Sequence, residues 1–162
     1  MRAQTTPVYQ PIDPDFATRV RASFGRQQAM ELIGAEMTLI EPGFCEIRLP
    51  YQPKLTQQHG FVHGGIVGMI ADSAGGYAAY SLFPADASIL TVEYKMNLLA
   101  PGKGEALVAR AHVLKPGRTL TVVHADVYAI QDAKEVHCAA MQMTLMTLQG
   151  RADGPKENQE AR

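Results

Sequence analysis

Between residues 60 and 85 the chain reads GFVHGGIVGMIADSAGGYAAYSLFPA, and that stretch carries one formal charge, Asp72. Its apolar residues fall on every side of a 3.6-residue period, which predicts a helix buried nearly all round. Pro84 is placed to end it. A bare carboxylate in such a helix costs on the order of several kcal/mol unless it is paired, hydrated or used. Asp72 therefore demands a reason. The helix opens with His63-Gly64-Gly65. A helix start leaves backbone N–H groups unpaired, and glycine lets another group approach them closely. With the positive end of the helix dipole, those N–H groups make a place for a developing negative oxygen.

Helix geometry separates the two features. Asp72 lies nine residues beyond His63, which is roughly 13 Å along the axis and about half a turn round it. One copy of the helix cannot bring both ends to a single small site. If the two act together, two copies of the chain must meet, so the sequence predicts a homodimer with shared sites.

At 162 residues, 46% of them hydrophobic, the chain has enough material for one domain with its own core. We expect a flexible N-terminus over residues 1–12, one domain over 13–148 and a disordered polar tail over 149–162. A net charge of −1 gives no sign of nucleic-acid or membrane binding. The opening MRAQTTPVYQP has no apolar run of the secretory kind, and Cys45 and Cys138 are far apart in strand-like runs. Two reduced thiols in a cytoplasmic protein is the expectation. His112, His124 and His137 fall on separate predicted strands without ligand spacing, so no metal is expected.

Asp13-Pro14 predicts a helix start, and Phe16, Val20 and Phe24 recur at helical steps up to Gly25. Residues 28–40 and 44–50 read as strands joined by a turn at Glu41-Pro42-Gly43. After the central helix come four strand candidates: residues 88–99, 105–114, 119–130 and 135–147. In the first of these Leu90, Val92, Tyr94, Met96 and Leu98 alternate with Thr91, Glu93, Lys95 and Asn97. Short turns between the four imply antiparallel neighbours. One buried helix and one sheet give an α+β fold, a curved antiparallel sheet wrapped around a long central helix.

That layout resembles the hotdog-fold acyl-CoA thioesterases, and more closely their PaaI-like branch. The likeness is carried by His63-Gly64-Gly65, the acid nine residues on, Gln57 upstream, the run from Tyr94 to Gly102 and the Gly117-Arg118-Thr119 turn. It implies a thioester hydrolase that needs no cofactor, works on acyl-CoA, and assembles as a homodimer and further as a homotetramer. Asp72 matches the family's catalytic carboxylate. Gly64 matches the glycine whose N–H polarises the thioester carbonyl from the facing subunit. Gln57 matches a position that contacts the thioester or orients water, His63 a supporting residue, and Thr91 a position that helps hold the water. The strand alternation puts Thr91 on the polar face and leaves open whether that face looks into the site.

Further candidates for substrate contact are Gly65, Met69, Tyr77 and Met96, with Lys115, Arg118 and Lys103 as cations for the phosphates of coenzyme A. Gly75 and Gly76 mark a close approach to the sheet or to substrate, with packing the favoured reading. Ser73 has no histidine placed to activate it. The favoured reaction is hydrolysis of a medium-chain, aryl or arylacetyl acyl-CoA. The alternatives are a hydratase or dehydratase of the same fold and a non-catalytic acyl-CoA binder.

Overall fold

A computed structural model of the chain describes residues 8–151 and 153–154. The rest of the expected N-terminal and C-terminal segments, residues 1–7, 152 and 155–162, lies outside the described residues. The elements in chain order are α1 (Phe16–Phe24), α2 (Gln28–Ile33), β1 (Glu36–Glu41), β2 (Phe44–Pro50), a short 3-10 turn (Pro53–Leu55), α3 (Gly64–Tyr80), β3 (Ser88–Leu98), β4 (Ala106–Lys115), β5 (Leu120–Gln131) and β6 (Lys134–Leu148). The strands form one antiparallel sheet in the order β1-β2-β4-β5-β6-β3. Helix α3 packs on one face of it, against β2, β4 and β5 above all. This is the α+β arrangement anticipated, a six-stranded sheet around a central helix.

The sheet's alternation explains the layering. Ile47 and Leu49 on β2, Leu107 to Val113 at every second position of β4, and Val123 to Ala129 at every second position of β5 are buried. Much of that inner face is alanine: Ala109, Ala111, Ala125 and Ala129. Helix α3 answers with Ala71, Ala74 and Ala78, all fully buried. Small residues on both sides let helix and sheet approach closely. The outer face is polar. Arg110 there bonds to Glu46 and Glu135; His124 Nε2 shares a hydrogen bond of 3.0 Å with Asp126, and His137 Nε2 lies 2.8 Å from the same carboxylate. Adjacent strands thus gather histidines that look scattered in sequence, though among the described residues no three such side chains are arrayed to hold a metal ion.

Four expectations need correction. Residues 28–40 are not one strand. Gln28–Ile33 form helix α2, which buries Met30 and Ile33 one turn apart and stops at Gly34, whose φ of 71° is left-handed. There Ala35 N–H reaches back to the Met30 carbonyl at 2.9 Å, and Gln52 Nε2 donates to the Ile33 carbonyl at 2.7 Å. Second, β3 and β4 are not neighbours. The Leu99–Glu105 connection passes the ends of β6 and β5, with Leu99 N–H bonded to the Cys138 carbonyl and Glu105 N–H to that of Ile130, and β3 pairs with β6 at the sheet edge.

Third, the α1 and α3 ends shift. Helix α1 begins at Phe16, and Asp13 instead accepts from Asp15 N–H and Arg19 Nε. Helix α3 ends at Tyr80, before Pro84; Arg19 Nη2 donates to the Phe83 carbonyl at 2.9 Å and to that of Tyr80 at 3.4 Å, beside the helix's negative end. Fourth, the alternation of β3 is broken. Thr91 pairs with Leu145 but Glu93 pairs with Thr144, so Val92 is the extra residue of a bulge. Residues opposite one another share a sheet face. Ile89 and Thr91 therefore lie on the same side as Tyr94 and Met96, whose partners Met143 and Met141 are buried under the helix. Thr91 is moved off the polar face that simple alternation assigns it.

Candidate active site

The displaced Thr91 meets the acid. Its Oγ1 donates to Asp72 Oδ1 at 2.8 Å. Asp72 is half-buried on α3, and burial pushes its carboxyl above the usual aspartate range, while the Thr91 hydrogen bond pulls it back down. No cation reaches it among the described residues. Asp72 and Thr91 line a cleft of about 470 Å³ with Ser73, Gly76, Tyr77 and Ile89. A half-buried carboxylate at a cleft wall, partnered by a hydroxyl alone, suits a general base or a nucleophile.

The other candidates gather more than two turns away, at the start of α3. His63 is the N-cap: its Nδ1 accepts from Gly65 N–H at 2.9 Å. That bond places the imidazole proton on Nε2 and uses up the Gly65 N–H, so both residues serve the helix start. Gly64 is the first helical residue, and its N–H has no hydrogen-bond partner among the described residues. Gly64 and Gln57 share a second cleft, about 350 Å³, with Val67, Leu98 and Pro101. Gln57 Oε1 accepts from His59 N–H, which leaves its amide nitrogen for another partner.

The candidate residues thus divide into two groups on one chain, Asp72 with Thr91 and Tyr77, and Gln57 with Gly64. Eight residues of helix separate Gly64 from Asp72, about 12 Å along the axis. Met69 is half-buried against the core, and Met96 packs beside Gly68. Lys103, Lys115 and Arg118 are exposed and line neither cleft.

Some residues at the acid's cleft carry no sequence signal. Ser23, Arg26 and Gln27 come from the α1–α2 junction, and Asp153 and Gly154 from the tail. Ser73 Oγ donates to Gln27 Oε1 at 3.3 Å, Ser23 and Tyr77 share a hydrogen bond of 3.3 Å, and Arg26 pairs with Asp153 at 2.6 Å. Only the chain path brings them there. The two cysteines, by contrast, are inert: both are buried and free, and burial raises both thiols, Cys138 to about 11.

Residues 59–136, which hold the opening of α3, Asp72 and Thr91, match the thioesterase superfamily. A solved structure, a thioesterase family protein of Silicibacter pomeroyi, is 51% identical, with a TM-score of 0.82 over 83% of this chain and 99% of that one. The chain is 28% identical over 103 residues to acyl-coenzyme A thioesterase 13 of Mus musculus, covering 63% of this chain and 71% of that one. The fold is shared as well with the PaaI protein of E. coli, at a TM-score of 0.75 and 20% identity over 84% of this chain and 95% of that one. On the family match and the likeness to the Silicibacter pomeroyi protein, this chain belongs to the thioesterase superfamily and has its hotdog fold.

Proposed function

We propose that the protein hydrolyses acyl-CoA, releasing a carboxylic acid and free coenzyme A, at sites shared between two subunits. The thioester carbonyl lies against the Gly64 N–H of one subunit, with Gln57 beside it. Negative charge grows on that oxygen as the tetrahedral intermediate forms, so a fixed donor at the positive end of a helix helps most in the transition state. Asp72 of the other subunit takes a proton from the attacking water, or attacks the carbonyl carbon itself to give a mixed anhydride that water then hydrolyses to the free acid and the Asp72 carboxylate. Thr91 holds the carboxylate, and coenzyme A leaves as the thiolate and is then protonated. Lys115 and Arg118 are exposed cations able to meet its phosphates.

The observation that carries this reading is Asp72 itself: a half-buried acid on a cleft wall with a single hydroxyl partner. A structural acid in that position would be expected to have a cation or backbone donors. The unpartnered Gly64 N–H supports the carbonyl's position. The separation of the two groups along one helix supports the shared site. So does the exposed apolar surface of β3, where Leu90, Val92, Tyr94 and Leu98 are each half or more exposed at a sheet edge.

A panel of acyl-CoA thioesters with release of free thiol as the readout tests it. Turnover is expected, and Asp72→Asn should fold normally while turnover falls by at least about 100-fold, the lower end of what a general base contributes. Near-normal activity in Asp72→Asn would end the proposal. Tight binding without thiol release would favour a non-catalytic binder instead. In a single turnover in oxygen-18 water, label entering Asp72 rules out simple base catalysis and identifies direct attack.

A further inference from the structure

We infer that Gly76 fixes how much bulk the acyl group can carry beside the thioester carbonyl, and that the cleft is built for branched or ring-bearing acyl groups. The inference rests on the acyl-CoA reading of the Asp72 cleft. It starts from a cost. Glycine inside a helix is unfavourable relative to alanine, and α3 carries three past its first turn: Gly68, Gly75 and Gly76. Gly75 is explained by a close neighbour, and Gly68 lies in ordinary contact with one. A Cβ at Gly75 would lie 2.1 Å from Met143 Sδ, and one at Gly68 would meet Met96 at 3.4 Å. At Gly76 a Cβ would find nothing within 4 Å among the described residues. The packing role expected from sequence holds for Gly75 and fails for Gly76.

What Gly76 does have is a position. It is four residues after Asp72, so it lies on the same helix face, about 6 Å further along the axis. It forms the cleft wall between Asp72 and Tyr77. A Cβ there would project into the cleft and meet none of the described residues. With the carbonyl carbon held for attack at Asp72, the atoms passing Gly76 are those attached close to the carbonyl. A straight chain needs little width at that point; a branch or a ring needs the space a missing side chain leaves.

The test compares wild type, Gly76→Ala and Gly76→Val on butanoyl-CoA, 2-methylpropanoyl-CoA and benzoyl-CoA. Each added methyl should lower the ratio of kcat/KM for the branched and ring thioesters to that for butanoyl-CoA, by about 10-fold or more for valine, in line with what one methylene is worth in a fitted pocket. Gly76→Ala should also unfold at the same or a higher temperature, which a packing glycine would not allow. An unchanged ratio overturns the inference. A fall in the variants' dimer mass overturns it too, because the space would then belong to the partner chain. If wild type cleaves butanoyl-CoA but neither bulky thioester, the inference alone fails. If it cleaves no acyl-CoA, the functional reading falls and takes this inference with it.

Discussion

Asp72 and Thr91 set each other's chemistry. Burial favours the neutral carboxyl, and the Thr91 hydroxyl, by donating to Oδ1, favours the charged one. The net direction is upward from the ordinary 3.8. For an acid raised in this way, the fold gains stability from the protonated form. That gain is complete below the unfolded-state pKa and is lost as pH rises through the folded-state value. At neutral pH the charged Asp72 therefore weighs against folding, and Asp72→Asn should unfold at the same or a higher temperature than wild type. Activity runs the opposite way, since both candidate roles need the charged form. The rate should rise with pH along an acid limb centred above the ordinary aspartate range. Removing the hydroxyl with Thr91→Val deletes the one interaction that favours the anion. Its acid limb should move to higher pH, so that the deficit is large under mildly acidic conditions and shrinks as pH rises. A Thr91→Val limb that coincides with that of wild type would show that Thr91 does not tune the acid.

Helix α3 shows how one element can be legible in its sequence while its neighbours are not. Its lack of charge announced burial, and its single acid announced a site. The glycine pair Gly75-Gly76 looked like one feature and is two. At Gly75 an added methyl gains about 1 kcal/mol of helix propensity but drives into Met143, which is fully buried and has to move; overpacking of that kind costs about 1–3 kcal/mol. Gly75→Ala should thus lower stability in urea unfolding by up to about 2 kcal/mol, and a Gly75→Ala protein more stable than wild type would contradict the packing. Elsewhere the pattern misled for definite reasons. Helix α2 is too short for its period to stand out, and only Gly34 marked its end. The alternation of β3 is unbroken in sequence, yet the inserted Val92 changes its phase midway, which no residue type announces. That bulge decides that Thr91 reaches Asp72. Ser23, Gln27 and Arg26 join the cleft through tertiary placement alone, so periodicity could not find them.

For the molecule as a whole the question is whether the acid and the Gly64 N–H of different chains work together, and the structure offers a clean way to remove each. Gly64 is the first residue of α3, where an N–H has no intrahelical bond to lose and proline is tolerated. The residue before it, His63, already has φ −60° and ψ 136°, the conformation a proline demands of its predecessor. Among the described residues a Cβ at Gly64 meets only the Leu98 Cδ1, at 3.0 Å, the end of an exposed side chain that can give way. Gly64→Pro should therefore fold while lacking one N–H, and Gln57→Ala removes the neighbouring amide as an independent second variant. Each should be nearly inactive, like Asp72→Asn. Unfolding, mixing and refolding Asp72→Asn with Gly64→Pro in equal amounts makes about half of all dimers mixed, each with one site that has both groups intact and one that has neither. Shared sites predict recovery to roughly a quarter of wild-type activity from two inactive proteins. If each chain carried a whole site, the mixture would stay as inactive as its parents, and the partner's helix would have no part in the reaction.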